Sequence, residues 1–182
     1  MRSLTQVTPP SEPILSIGDA KEHLRVTHSM EDSLIASLVE AATAWLDGWN
    51  GVLGVALEAQ TWEMTLDAFP AGEMCIPLGP VVSIEAIEYT DANGDGQTIP
   101  PADYQAQGGR VRHKNGWPSI NDEMGGVRVR FIAGSGTPDG IKHVTRLLIG
   151  HWYANREAAG DKIQAIPMAV NMLIAPVKRW SV

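Results

Sequence analysis

Residues 138–157, PDGIKHVTRLLIGHWYANRE, constrain the fold more than any other stretch of the chain. Apolar side chains recur there at three- and four-residue spacing, as on an α-helix. They form a wide stripe: Ile141, Val144, Leu147, Leu148, Ile149, Trp152 and Tyr153. A helix with so wide a stripe has to pack against partners on more than one side. Thr137 is predicted to cap its first turn, and Arg156 and Gly160 are typical of its end.

Two further helices are predicted before residue 50. Ser16 and Asp19 have the spacing of a capping box with Asp in place of Glu, and the apolar face that follows them ends near Val26. The second helix lies in residues 30–49, MEDSLIASLVEAATAWLDGW, where apolar residues again share one wide stripe. A last apolar segment, MAVNMLIA, follows Pro167 and predicts a short helix that ends at Pro176.

From residue 61 the apolar pattern changes to strict alternation, which predicts half-buried strands. Trp62, Met64 and Leu66 alternate with polar residues. The same reading predicts strands in residues 82–89, around Tyr104, in residues 110–112 and in residues 127–133. Because the alternation changes phase within residues 82–89, a bulge or bend is predicted near Glu85.

Together these elements predict an α+β fold with a mainly helical core and an inserted antiparallel β layer. The core would consist of two N-terminal helices, the long central helix and a short C-terminal helix, with the β insertion at about residues 61–133. Residues 1–13 contain three prolines and are predicted to form a flexible N-terminal arm. Residues 14–176 are predicted to be a single domain, and residues 177–182 a C-terminal tail.

Composition and length indicate an ordinary soluble domain, with 182 residues, 44% hydrophobic and 19% charged. No apolar run approaches the roughly 20 residues of a membrane helix, and residues 1–13 lack the apolar core of a signal peptide. We therefore expect a cytoplasmic protein without a membrane partner. With a single cysteine, Cys75, the chain cannot form an internal disulfide, and this residue offers no argument for catalysis.

The charges are distributed unevenly along the sequence. Residues 1–109 contain 3 Lys/Arg and 16 Asp/Glu, a balance of −13, whereas residues 110–182 contain 11 and 5, a balance of +6. Two interpretations are open. In one, a single fold mixes the two halves over its surface. In the other, an acidic face of one copy meets a basic face of the next, which is the head-to-tail contact that closes rings.

Two loops imitate ligand-binding motifs. The turn DANGDG, from Asp91 to Gly96, matches the opening of a calcium loop, but the closing carboxylate position holds Ala102. A hairpin turn is the favoured interpretation, because Asn-Gly and Asp-Gly are strong turn dipeptides. The loop GSGTPDG resembles a phosphate-binding loop, yet Asp139 occupies the place of its third glycine and would repel a phosphate.

Histidine, cysteine and serine residues form no catalytic or metal-binding pattern in the sequence. The histidines, at positions 23, 28, 113, 143 and 151, have no metal-ligand spacing with one another or with Cys75. No G-x-S-x-G motif occurs. We therefore predict no catalytic residues, no metal, no cofactor and no enzymatic activity.

Basic residues concentrate at positions 110, 112, 114, 128 and 130, where alternating strands would place several on one face. A nucleic-acid patch is the less favoured interpretation, since the chain as a whole is acidic. A solvated sheet face or a contact between subunits is favoured. The candidate subunit-contact charges are Arg110, Arg112, Arg128 and Arg130.

In their order, these segments resemble the phage head–tail connector proteins, also called head–tail adaptors, of tailed phages, prophages and gene transfer agents. The resemblance covers about residues 14–176. It is carried by SIGDAKEHLRV, EDSLIASLVEAATAWL, QTWEMTLDAFP, IPLGPVVSIEAIEYTDANGDG, ADYQ, VRVRFIAGSG, LLIGHWYANRE and IPMAVNMLIAP. The order and spacing of these segments are more specific than any one of them.

The resemblance implies a structural virion protein. Connectors form a homo-oligomeric ring, of twelve copies in the particle, beneath the portal protein. They join the capsid to the tail or stopper protein below and continue the channel through which double-stranded DNA passes without specific binding. It also implies assembly in the host cytoplasm and a final place in the neck of a virion or phage-like particle.

The C-terminal tail is a further candidate site, because connectors use their C-terminal end toward the portal. We expect Val177, Lys178, Arg179, Trp180, Ser181 and Val182 to dock into the portal and to contribute little to the fold. The alternative is that Trp180 folds back onto its own domain. Two rival functions also stay open: a tail-completion or other binding module, and a small nucleotide- or metal-dependent enzyme.

Overall fold

The computed structural model describes residues 2–121, 124–155 and 168–179. Its helices are α1 (Ile17–Leu24), α2 (Asp32–Leu46), α3 (Asp139–Ala154) and α4 (Met168–Ile174), with a 3₁₀ turn at Pro101–Asp103. Its strands are β1 (Arg2–Thr8), β2 (Gln60–Leu66), β3 (Met74–Cys75), β4 (Val81–Thr90), β5 (Gly96–Thr98), β6 (Tyr104–Gln107), β7 (Arg110–His113) and β8 (Val127–Ala133).

The chain divides into two compact units. Met1–Ser11 and Ala59–Ser135 contain all eight strands found among the described residues, and we call them the β unit. Glu12–Glu58 and Gly136–Val182 contain the four α-helices of the described residues, and we call them the helical unit. Each unit is therefore assembled from two separate segments of the chain.

The larger sheet of the β unit is antiparallel, with the strand order β1-β2-β8-β4-β5. Its central strand, β8, is the last of these five in the sequence. The alternate side chains of β8 are fully buried, namely Val127, Val129, Phe131 and Ala133. Because β8 has a neighbour on each side, its buried face can contact side chains from both β2 and β4. This position explains the strict alternation of VRVRFIA.

The smaller sheet of the β unit contains three strands in the order β3-β7-β6. Val111 of β7 pairs with Met74 of β3, and both side chains are buried. Arg110 and Arg112 flank Val111 on β7 and are exposed. The sheet thus has one apolar face and one charged face, as the period of two along a strand requires.

The core of the helical unit is formed by one apolar cluster in which all four α-helices take part. From α3 it contains Ile141, Val144, Leu148 and Ile149, which are fully buried. From α2 it contains Ile35, Val39, Ala42 and Leu46, and from α4 Val170 and Ile174. The central helix therefore has the several partners that its wide apolar stripe predicted.

The prediction of a mainly helical core is wrong. The chain is rich in β-structure, with two antiparallel sheets, and its first element is a strand rather than a helix. Residues 2–8, for which a flexible arm was expected, pair with β2. The three prolines behind that expectation are Pro9, Pro10 and Pro13, and all of them follow the strand rather than interrupt it.

Several local predictions are confirmed. Ser16 caps α1, since its Oγ accepts a hydrogen bond from the Asp19 N–H at 3.0 Å. The pairing of β4 with β8 shifts between Ile84 and Ala86, which is the bulge expected at Glu85. Strands β2 to β8 lie between Gln60 and Ala133, the part of the chain in which alternation predicted strands. The division of the chain into residues 1–13, 14–176 and 177–182 stays a prediction. So does the end of α3 at Arg156 and Gly160, because these two residues lie outside the described residues.

Candidate interaction surfaces

Strand β1 forms one edge of the five-stranded sheet. Its pairing with β2 is regular from Arg2 to Gln6 and shifts between Gln6 and Thr8, so that Val7 lies in a bulge. All its side chains are exposed except Leu4, which is half-buried opposite Met64. On the side away from β2, no strand of the described residues pairs with β1. An unpaired edge offers backbone N–H and C=O groups to another strand.

Strand β4 provides a second open edge in the same sheet. Its neighbour β5 pairs only with Glu88, Tyr89 and Thr90. Residues 81–86 of β4 therefore have a strand partner on one side only among the described residues, namely β8. A small cleft of about 60 Å³ lies between residues 81–84 and the turn between β6 and β7. Val82 lies at a shift in the β4–β8 pairing and is 58% exposed.

Exposed apolar side chains mark both of these edges. In the described part of the β unit, the large hydrophobic residues that are exposed are Val7, Val82 and Met124. Met124 lies outside the strands, whereas Val7 is in β1 and Val82 is in β4. Each edge therefore carries one exposed valine.

Arg128 and Arg130 are exposed on the central strand β8, on the face opposite its buried residues. Arg130 donates a hydrogen bond to Glu63 of β2 at 3.0 Å, and Arg128 lies 3.8 Å from a carboxylate oxygen of Glu88 of β4. These ion pairs cross the two ladders that hold β8 in the sheet. Exposed pairs of this kind contribute only about 0.2–1 kcal/mol each.

Arg110 and Arg112 lie on the smaller sheet, so the structure divides the four predicted arginines between two sheets. Both interact with one carboxylate, that of Glu73: Arg112 donates a hydrogen bond to it, and Arg110 lies 4.0 Å from its other oxygen. Together with Gln105 and Gln107, these side chains line a polar groove of about 290 Å³. The predicted exposure of the arginines is confirmed, whereas a subunit contact through them stays a prediction.

The charge asymmetry of the sequence does not persist in the two compact units. The β unit contains 6 Lys/Arg and 10 Asp/Glu, a balance of −4, and the helical unit contains 8 and 11, a balance of −3. The acidic residues 1–109 and the basic residues 110–182 mix because the basic strand β8 lies between β2 and β4, which belong to residues 1–109. Of the two interpretations, the mixing of charges over one surface is therefore favoured.

The first half of the C-terminal tail is attached to the helical unit. Val177 packs against the apolar cluster. The Arg179 N–H donates to the Leu53 carbonyl at 2.8 Å, and the Lys178 N–H donates to Ile174 at 2.9 Å. These contacts attach residues 177–179 to the helical unit, and the docking of residues 177–182 into a portal stays a prediction. Trp180, Ser181 and Val182 lie outside the described residues.

The DANGDG segment is the hairpin turn between β4 and β5, as predicted. The Asp91 carboxylate accepts hydrogen bonds from the side chain of Gln97 and from the backbone N–H groups of Asn93 and Asp95. These bonds lower the pKa of Asp91 below its ordinary value of 3.8, and the bond from Gln97 has the largest effect on that pKa. In the described residues, no group of three or more His, Cys, Asp or Glu is arranged to hold a metal ion.

The glycine loop before α3 uses its backbone for internal contacts. Gly134 and Gly136 have positive φ angles of 98° and 107°. Their N–H groups donate to the carbonyls of Pro80 and Leu57, at 2.9 and 3.0 Å. A phosphate at this loop would have to compete with those carbonyls.

Across residues 2–121, 124–155 and 168–179, no helix has both the length and the apolar character that a membrane span requires.

Comparison with known proteins finds no matching protein family and no matching curated protein. Solved structures of low sequence identity do match. A chain in the neck of an empty gene transfer agent (GTA) particle computed with C6 symmetry is 22% identical, with a TM-score of 0.79, and the match covers 99% of this chain and 97% of that one. A chain of the virion of a native GTA particle is 24% identical, with a TM-score of 0.74 over 98% and 96% of the two chains.

A third structure, the neck of a native GTA particle computed with C12 symmetry, matches at 19% identity and a TM-score of 0.72 over 99% and 97% of the chains. The protein thus has the fold of a chain found in the necks of gene transfer agent particles. This agrees with the resemblance to head–tail connector proteins. The shared fold extends over nearly the whole chain, including residues 1–13, which lie outside the sequence resemblance.

Proposed function

We propose that this protein is a structural component of the neck of a phage-like particle, a head–tail connector rather than an enzyme. The single observation that carries the proposal is the extent of the shared fold, which covers 96–97% of the neck and virion chains. A match of this extent leaves no large segment of either chain outside the shared fold. The neck structures have C6 and C12 symmetry, which supports a ring of copies, twelve in the particle.

In this role, the ring lies beneath a portal protein and above a tail or stopper protein, and double-stranded DNA passes through its lumen without specific binding. Assembly takes place in the host cytoplasm before the protein becomes part of the particle neck. The contact residues that we propose are the C-terminal residues 177–182 toward the portal, and Arg110, Arg112, Arg128 and Arg130 between subunits. The hydrogen bonds of Arg130 and Arg112 within the β unit would hold these side chains in place for such contacts.

The proposal is tested by electron microscopy of the purified full chain mixed with the portal protein from the same source. A ring stacked on the portal is the expected result, and each protein imaged alone is the control. A protein that stays monomeric and unbound beside intact portals would contradict the proposal and would favour a free-standing binding module. Thermal-shift measurements with nucleotides and calcium test the enzyme alternative, for which we expect no shift.

A further inference from the structure

We propose that neighbouring copies in the ring join edge to edge, with β1 of one copy pairing antiparallel with residues 81–86 of β4 in the next. This inference rests on the proposed ring and goes beyond it, because it assigns the two surfaces that meet. The occupant of the open β1 edge is thus a second copy of this chain.

The direction of the strands supports this pairing. The four strands β1, β2, β8 and β4 are antiparallel neighbours in that order, so β1 and β4 run in opposite directions. When a second copy follows the first around a ring axis nearly parallel to the strands, its β4 runs opposite to β1 of the first. The new pair is antiparallel, like every other pair in the sheet.

The position of the two edges also meets the requirement for a ring. A ring needs a head-to-tail contact between two different surfaces of the subunit. The β1 edge and residues 81–86 lie at opposite ends of one sheet, so each copy presents one edge to each neighbour. Pairing of β1 with β1 across a two-fold axis would instead stop at a dimer and leave the β4 edge open.

Side chains at the two edges are complementary. Val7 is 47% exposed on β1 and Val82 is 58% exposed on β4, and both lie at shifts of the strand register. An edge-to-edge contact would bury these two valines, which is favourable for apolar side chains. Proline, which natural proteins use to block exposed edges, is absent from both β1 and residues 81–86.

Cross-linking within the assembled ring tests the proposal. In the full chain with Cys75→Ser, we would introduce Thr5→Cys on β1 and Ser83→Cys on β4, two exposed positions. A short bismaleimide tolerates uncertainty in register. The expected result on a denaturing gel is a ladder of multimers from the double variant with portal. Thr5→Cys with Met30→Cys, an 86% exposed residue of the helical unit, is the matched control and should give no ladder.

Each outcome is informative. Rings visible by electron microscopy without a ladder would overturn the edge-to-edge pairing and leave the proposed function intact. Dimers from Thr5→Cys alone would show pairing of β1 with β1 and would also overturn it. If no rings form with the portal, the proposed function fails, and the inference that rests on it fails with it.

A second variant tests the contact without cysteines. Val7→Lys places a charge on the β1 edge and should reduce the yield of rings several-fold, with no change in the melting temperature of the free protein. Met30→Lys is the control, since Met30 is 86% exposed and lies in the helical unit. If the Val7→Lys and Met30→Lys variants give the same yield of rings, the proposal is contradicted.

Discussion

One carboxylate oxygen of Glu58 accepts two hydrogen bonds from Thr137, from its backbone N–H at 3.0 Å and from its hydroxyl at 2.7 Å. Thr137 was predicted to cap α3, but the N-cap residue is Pro138, without a side-chain cap, and the Thr137 hydroxyl bonds to Glu58 instead. Beside this pair, the Gly136 N–H donates to Leu57 at 3.0 Å. The segment that precedes β2 and the segment that precedes α3 are therefore joined within the helical unit.

Replacing Glu58 should destabilise the helical unit. Glu58→Ala removes the acceptor for two donors of Thr137, which is only 8% exposed, and we expect a loss of about 1–3 kcal/mol in the free energy of unfolding. Glu58→Gln is the matched control, because its amide oxygen can still accept both bonds. Urea unfolding followed by circular dichroism measures the difference. Equal stability of the two variants would show that the pair has little effect.

Truncating Leu148 tests whether α3 is the centre of the helical core. Leu148 is fully buried in the apolar cluster, so Leu148→Ala should lower the free energy of unfolding by about 2–5 kcal/mol. Ile17→Ala is the control on α1, where the side chain is 42% exposed, and should cost less than about 0.5 kcal/mol. Similar unfolding midpoints in urea for both variants would contradict the assigned packing.

Asp91→Asn should destabilise the β4–β5 hairpin in a way that depends on pH. Asn keeps an oxygen for the backbone N–H groups of Asn93 and Asp95, but its NH₂ group cannot accept the bond from Gln97. The lowered pKa of Asp91 means that its ionised form contributes stability above its ordinary pKa of 3.8.

That contribution disappears as the pH falls through the lower, folded-state pKa. Melting temperatures of wild type and Asp91→Asn should therefore differ at pH 7 and converge at low pH. Gln97→Leu should give the same pH-dependent difference, because it removes the donor of the same bond. A difference between wild type and Asp91→Asn that is constant down to the lowest pH would exclude this origin.

Two deletions separate the structural part of the tail from the part proposed to bind the portal. Removing residues 180–182 leaves the contacts of Val177 and Arg179 in place, so the melting temperature should stay unchanged while portal binding weakens. Removing residues 177–182 also removes the bond from Arg179 to Leu53, worth about 0.5–1.5 kcal/mol, and the packing of Val177. Unchanged portal affinity in the shorter deletion would contradict docking through the last three residues.

The period of the apolar residues predicted those helices and strands that bury one face and therefore show a regular pattern in their own sequence. The apolar stripe of α3 and the alternation in β2 and β8 are visible locally, because each of these elements buries one face. Strand β1 could not be predicted in this way, since its paired residues in β2 lie 53 or more residues away in the sequence and its side chains are mostly exposed. Strands β3 and β5, with two and three residues, are too short to show a period.

The candidate surfaces, too, could be predicted only where local sequence determines them. Alternation along β7 and β8 predicted that the four arginines are exposed. Their carboxylate partners, Glu63, Glu73 and Glu88, come from strands or loops distant in the sequence, so only the sheet order reveals them. The β1 and β4 edges depend entirely on that order. The absence of proline within residues 2–8 is the one sequence signal that could have indicated a strand there.

The central position of β8 has a consequence during synthesis. β1, β2 and β4 leave the ribosome before β8, and the sheet cannot close until residue 133 has been made. At about 5–20 residues per second, roughly 3–13 s separate the emergence of β2 from that of β8. During this interval β2 and β4 each lack the neighbour that β8 provides, and an unfinished chain has more open edges than a finished one. Nascent chains on one polysome are therefore prone to pair through the wrong strands until β8 has been made.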